Sequence, residues 1–176
     1  YKNYFHKAFA FAQATFTYKK IDAFVALRGG AEFFQREGLY KYGIFPNDSY
    51  GASAIQKFAT YQAKGGVTYK INGRNYLYAS GMYGTDAPTF DNTFISPRTR
   101  NIVVNNPTVE THKSVEGGYL LRAPNLSGRL SAFATDINDA TQVTRFYHED
   151  YRTFVNYVMK NVDMRSWGTE LAIQAK

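Results

Sequence analysis

The feature that most constrains the fold is a strict two-residue alternation between residues 58 and 70, which read FATYQAKGGVTYK. A repeat of two residues places alternate side chains on opposite faces of an extended strand. One face then carries only apolar or small residues, namely Ala59, Tyr61, Ala63, Gly65, Val67 and Tyr69. The other face is polar apart from Phe58 at its start and Gly66. A soluble sheet turns its apolar face toward a core, whereas a membrane barrel turns it toward lipid, and the alternation fits both.

Composition favours the membrane alternative. The 176 residues include 15 Tyr and 14 Phe, few aliphatic residues, and a mean hydropathy of −0.41. Such a chain makes a poor soluble core, but aromatic residues are typical of the interface girdles of outer-membrane barrels. No run of about 18 apolar residues occurs, so the sequence predicts no transmembrane helix. The chain has no Cys, which excludes disulfides and thiolate metal sites.

The same alternation recurs along the chain and predicts about seven long strands. We expect strands at residues 6–18, 23–35, 58–70, 75–85, 113–122 and 128–137, and from 154 to the end. Short turns at 19–22, 71–75 and 124–127 alternate with long loops at 36–55, 86–112 and 138–152. This asymmetry is typical of outer-membrane barrels. We therefore predict an all-β fold: a sector of an antiparallel transmembrane β-barrel, without a plug domain.

Four stretches carry a resemblance to a known family. They are residues 68–78 (TYKINGRNYLY), 94–101 (FISPRTRN), 146–157 (FYHEDYRTFVNY) and 165–171 (RSWGTEL). In this order they resemble late barrel strands of TonB-dependent outer-membrane receptors of the Bacteroidetes type. The last stretch resembles the R-x-x-G-x-E-L signature of that family. Residues 1–176 are thus expected to be one partial barrel domain, from the C-terminal half of the barrel.

The resemblance implies a function and a set of partners. Members are plugged, 22-stranded barrels of the bacterial outer membrane that import scarce extracellular ligands with energy transmitted by TonB. The implied partners are outer-membrane lipid and lipopolysaccharide, the TonB complex through an N-terminal part that these residues lack, and a surface lipoprotein lid. The short turns would face the periplasm and the long loops the exterior. An alternative is a plugless outer-membrane barrel that acts as a surface binding or adhesion module.

Candidate ligand-binding residues lie in the predicted external loops, where binding residues concentrate. Arg98 and Arg100 present two guanidinium groups that suit carboxylates or phosphates. A dense aromatic and charged segment adds Tyr147, His148, Asp150 and Tyr151. Both groups have a structural alternative, in which they pin or pack the loops.

The polar side of each strand is predicted to face the barrel lumen. The charged residues on this side are Arg28, Glu32, Lys64, Glu116 and Glu170. Tyr61, Tyr69, Tyr119 and Trp167 would face lipid near the interfaces, where amphipathic rings are favoured.

No catalytic, metal or cofactor site is predicted. His6, His112 and His148 lack metal-ligand spacing, and the residues around Asp136 lack the Gly and distal Glu of a calcium loop. No nucleophile–base pair stands out, so we expect no enzyme activity. The net charge of +7 leaves a soluble nucleic-acid-binding β protein as a third possibility. The basic residues are scattered rather than gathered in a stripe, so we predict no nucleic-acid partner.

Overall fold

The computed structural model describes residues 1–175, and nearly all of its regular structure is one antiparallel sheet. Its strands are β1 (Lys2–Tyr18), β2 (Ile21–Gly38), β3 (Gly51–Ala52), β4 (Gln56–Lys70), β5 (Asn75–Asp86), β6 (Glu110–Arg122), β7 (Leu126–His148) and β8 (Thr153–Ala175). A single helical turn, α1 (Phe90–Thr93), lies between β5 and β6. The strand order is β1-β2-β4-β5-β6-β7-β8, and the short β3 pairs with the far end of β2.

Three tight turns join neighbouring strands at one end of the sheet. Lys19 takes a positive φ of 51° between β1 and β2. In the next turn the Asn72 side chain accepts hydrogen bonds from the backbone N–H groups of Arg74 and Asn75, both at 3.0 Å. This bonding of the Asn side chain to the backbone two residues further on is one reason that Asn is frequent in turns. The predicted short turns are therefore confirmed.

The prediction of a third long loop at residues 138–152 is wrong. β7 continues to His148, β8 begins at Thr153, and only a four-residue turn separates them. The register shifts between Ile137 and Ala140 and again between Ala140 and Gln142, and Asp139 adopts a φ of 60°. The Asn and Asp residues that suggested a loop instead form β-bulges, after which pairing resumes.

The register sorts the side chains onto two faces, because directly paired residues share a face. One cross-strand row reads Gly65, Gly81, Val115, Ala134 and Trp167, and the adjacent row reads Lys64, Met82, Ser114, Thr135 and Ser166. We call these the apolar face and the polar face. On the apolar face, no charged side chain lies between the turns and the row formed by Lys113, Asp136 and Arg165.

Two levels of tyrosine bound this uncharged band. Tyr69 and Tyr119 lie near the turns, whereas Tyr61 and Tyr83 contact each other further along the strands, with ring centroids 6.2 Å apart. Tyr61 lies nine positions along β4 from Lys70. At a rise of about 3.3 Å per residue and a strand tilt of about 40°, Tyr61 and Lys70 are separated by roughly 23 Å along the barrel axis. Aromatic girdles around an apolar band about 25 Å tall are typical of outer-membrane barrels.

Little of the sheet is packed against anything else. Trp167 and Leu171 on the apolar face are 81% and 70% exposed. The hydrophobic core is a small cluster of Phe34, Phe58 and Phe94 at the end away from the turns. Within residues 1–175, α1 is far too short to cross a membrane, and no other helix is present to do so. The fold is thus a wall whose large apolar surface lies outside any protein core.

Candidate functional site: the polar face and its loops

Ion pairs join strands across the polar face, both between neighbours and across an intervening strand. Lys7 Nζ lies 2.7 Å from Glu32 Oε2, and Arg28 Nη2 lies 2.8 Å from Asp86 Oδ1. Further along the sheet, Glu116 accepts a hydrogen bond of 2.5 Å from the Tyr78 hydroxyl and a second from Arg129. These contacts satisfy charges that would be costly on a face directed at lipid.

All five residues predicted to face the lumen lie on this polar face. Arg28 and Glu32 belong to β2, Lys64 to β4, Glu116 to β6 and Glu170 to β8, and the register gives them a common side. Lys64, Glu116 and Glu170 line one polar depression of about 330 Å³. That this side encloses a lumen remains a prediction.

Two long loops fold over the polar face at the end opposite the turns. Loop A (residues 39–55) joins β2 to β4, and loop B (residues 87–109) joins β5 to β6. Phe94 of loop B is fully buried in the cluster with Phe34 and Phe58, and its ring stacks on Phe90 at 4.6 Å. Because Phe34 and Phe58 belong to the polar face, this cluster fixes loop B above that face.

Arg36, at the end of β2, ties loops A and B together. Its side chain is 2% exposed and donates hydrogen bonds to the carbonyl oxygens of Pro97 (2.5 Å) and Ser49 (3.1 Å), and to Asn101 Oδ1. Burial lowers the pKa of this guanidinium, which remains protonated because its ordinary value is so high. Sequence analysis did not single out Arg36. Its only signal is that it follows Arg28 and Glu32 at four-residue steps on the polar face.

Arg100 of loop B also contacts loop A. Its Nε lies 2.9 Å from Asp48 Oδ2, and its guanidinium lies 4.4 Å from the centroid of Phe45. The backbone N–H of Asn101 donates to the Asp48 carbonyl at 2.6 Å. These contacts favour the structural alternative for Arg100, because its charge is already satisfied inside the molecule.

Arg98 has different surroundings. Its exposed side chain makes no hydrogen bond or ion pair with residues 1–175, and it lines an open cavity of about 270 Å³. Arg145 of β7 lines the same cavity and donates from Nε to Asn156 Oδ1 at 3.2 Å. Asn156 in turn donates to the carbonyl of Ile95 at 2.6 Å. The cavity therefore lies where loop B contacts the β7–β8 hairpin, and it is lined by two guanidinium groups and by the carboxylate of Asp91.

The remaining candidates lie at the tip of the β7–β8 hairpin, apart from Arg98. Tyr147 contacts Phe154 edge-on at 5.5 Å, whereas His148 packs on Tyr151 at 4.6 Å. Asp150 lies in the turn, and Tyr151 is 73% exposed. The structure thus joins Arg98 with Arg145 and Asn156, which sequence analysis missed because strand pairing and loop folding bring them together.

The histidines remain dispersed. His112 Nε2 lies 3.8 Å from Glu110 Oε2 and 3.9 Å from Asp86 Oδ2, too far for hydrogen bonds. Among residues 1–175, no three His, Asp or Glu side chains are grouped so as to hold a metal ion.

Together, the meandering antiparallel strands, the uncharged apolar band and the polar opposite face define a sector of a β-barrel wall. The predicted all-β barrel fold is confirmed, with long loops at two of the three connections away from the turns. The structure is similar to a solved chain described as copper transporter OprC, with a TM-score of 0.75 and 18% sequence identity.

The likeness covers 97% of this chain and 26% of that one, so the present chain spans about a quarter of the length of its structural neighbour. At this identity the comparison supports a barrel wall, and with it the predicted outer-membrane location, at the level of fold. No protein-family model matches the sequence, and no curated protein matches it either.

Proposed function

We propose that this chain forms part of the wall of an outer-membrane receptor that imports an extracellular ligand with energy transmitted by TonB. The observation that carries the proposal is the pairing of an uncharged band on one face with ion pairs and inward-folded loops on the other. A barrel built from such a wall has lipid outside and a polar passage inside. Loops A and B then narrow the passage at its outer end. The TonB complex and a surface lipoprotein lid are the partners that this function would require or accommodate.

The cavity lined by Arg98 and Arg145 is the proposed first contact for the ligand. Guanidinium groups present paired donors that match carboxylate and phosphate oxygens. Arg98 is free to bind because it has no partner among the described residues. We therefore propose an anionic ligand. The copper in the name of the structural neighbour is not carried over, since 18% identity supports the fold alone.

Solute depletion from the growth medium tests this function while the ligand is still unidentified. Cells that express the full-length protein and cells that lack it are grown on one medium, and its anionic solutes are followed by mass spectrometry. We expect at least one solute to be depleted only by expressing cells, and a protonophore to abolish the difference. Equal depletion in both strains would contradict import.

One observation favours the alternative of a surface binding or adhesion module. The tip of the β7–β8 hairpin exposes Tyr147, Tyr151 and Phe154. Exposed aromatic side chains are enriched in protein interfaces. Adhesion of expressing cells to a surface or partner would persist in the presence of a protonophore, whereas import would stop.

A further inference from the structure

A shallow groove of about 800 Å³ crosses the apolar face over β4 to β7. Its floor on this face consists of small residues, namely Gly65, Ala79, Gly81, Gly117, Ala132 and Ala134. Val67 and Val115 form its apolar sides. The groove lies between the two tyrosine levels and therefore within the uncharged band.

The glycines of the groove are not required by the fold. A Cβ added to Gly65, Gly81 or Gly117 would lie 3.5, 3.5 or 3.4 Å from the nearest atom, which is ordinary contact. None of them has a positive φ, which among the described glycines occurs only at Gly51. By contrast, a Cβ on Gly30, Gly84 or Gly118 of the polar face would lie 2.2, 2.6 or 2.4 Å from backbone oxygen. Polar-face glycines relieve clashes within the sheet, whereas those of the groove only leave space outside it.

Basic side chains border the groove on the side away from the turns. The row above it contains Tyr83, Lys113, Asp136 and Arg165 in direct cross-strand pairing. Arg165 pairs with Asp136 through contacts of 2.7 and 3.1 Å and is still exposed. Lys113 is exposed and has no hydrogen-bond or ion-pair partner in the described part of the chain. Lys113 and Arg165 outnumber Asp136 in this row, so the row itself carries one net positive charge.

The height of these charges matches a lipid headgroup. Lys113 lies nine positions along β6 from Arg122, which corresponds to roughly 23 Å at a tilt of about 40°. That is close to the full height of the apolar band of an outer-membrane barrel, about 25 Å. The basic side chains thus lie at the outer edge of the hydrocarbon region, directly above an apolar groove.

We propose that this groove binds an acyl chain of an anionic outer-leaflet lipid of the lipid A class, whose phosphate contacts Lys113 and the exposed side of Arg165. The groove supplies apolar contact over the length of an acyl segment, and the charges select a phosphate over a zwitterionic headgroup. This inference rests on the membrane placement of the proposed function, but not on ligand import.

Native mass spectrometry of the full-length protein, purified from outer membranes in detergent, tests the proposal. The probes are bisphosphorylated lipid A, its dephosphorylated form and phosphatidylethanolamine. Gly81→Leu and Gly117→Leu fill the groove and are expected to weaken lipid A binding about tenfold, as for two methylenes removed from apolar contact. The matched control is Gly29→Leu, on the same face in β2, where an added Cβ meets nothing within 4 Å. We expect it to bind like the wild type.

Lys113→Gln tests the headgroup contact. We expect about fivefold weaker binding of lipid A, as for one basic residue near an anionic surface, and unchanged binding of the dephosphorylated form. Equal lipid A binding by the wild type and both groove variants would overturn the proposal. If the groove variants fail to fold, the wild-type protein still tests the proposal. A less than twofold preference of the wild type for lipid A over phosphatidylethanolamine would overturn the proposal. Loss of the wild-type protein from the outer-membrane fraction would instead contradict the membrane placement itself.

Discussion

Two regions of the molecule extend beyond the outer tyrosine level, and they are built differently. Loops A and B have little regular structure, yet a buried arginine joins them, a phenylalanine cluster fixes loop B, and both contain several backbone hydrogen bonds. The β7–β8 hairpin is continuously paired from Gln142 to its turn, yet its tip rests on aromatic contacts between exposed rings. Length and irregularity in the sequence are therefore poor guides to which region is firmly fixed.

Of the substitutions that test this difference between the two regions, loss of Phe94 should have the largest effect on stability. Phe94→Ala removes a fully buried ring from the cluster that joins loop B to β2 and β4. Deletions of this kind cost about 3–5 kcal/mol. We expect hydrogen exchange to accelerate throughout residues 87–109 while residues 149–152 exchange as before. Equal acceleration at the hairpin tip would show that the two regions are not independent.

Substitution of Arg36 should have the next largest effect. Arg36→Ala leaves the carbonyl oxygens of Pro97 and Ser49 and the Asn101 side chain without their donor, at a cost of about 3 kcal/mol. Arg36→Lys keeps the charge but cannot reach three acceptors in different directions, so we expect only partial rescue. Limited proteolysis should cut loops A and B in the alanine variant and not in the wild type. An uncut alanine variant would mean that the phenylalanine cluster and the contacts of Arg100 and Asn101 with loop A are enough to fix the loops.

Arg100 should matter less than Arg36, although both contact loop A. The Arg100–Asp48 pair is partly open to solvent, and such pairs contribute about 0.2–1 kcal/mol. The cation–π contact with Phe45 adds a similar amount. We expect Arg100→Ala to loosen loop A slightly in hydrogen exchange and to leave loop B protected. Effects as large as those of Arg36→Ala would contradict this order.

The smallest effect on stability is expected at the hairpin tip. Tyr151→Ala removes a ring that is mostly exposed and contacts chiefly His148. Surface substitutions of this kind usually change stability by less than about 0.5 kcal/mol. Thermal unfolding should therefore match the wild type, and any loss of adhesion or uptake would reflect binding rather than folding. A clear fall in stability would assign the tip a structural role.

Alternation predicted the sheet well because both faces are long and chemically distinct. It placed Lys64, Glu116 and Glu170 on one side from the sequence alone, and the register agrees. The bulges around Asp139 escaped prediction, since Asn and Asp favour turns and bulges alike. The burial of Arg36 could not be predicted for another reason. It depends on where loops A and B fold, and no periodic pattern encodes that.

The register shifts of β7 have a practical consequence for labelling this protein at the cell surface. Beyond Gln142 the chain continues as a two-stranded ribbon, and its turn at residues 149–152 is exposed. Sites whose backbone is exposed and lightly bonded accept inserted sequence best. An epitope tag or displayed peptide therefore belongs in this four-residue turn. The longer loops A and B look more permissive in the sequence, but an insertion near Pro97 or Ser49 would strain the buried contacts of Arg36.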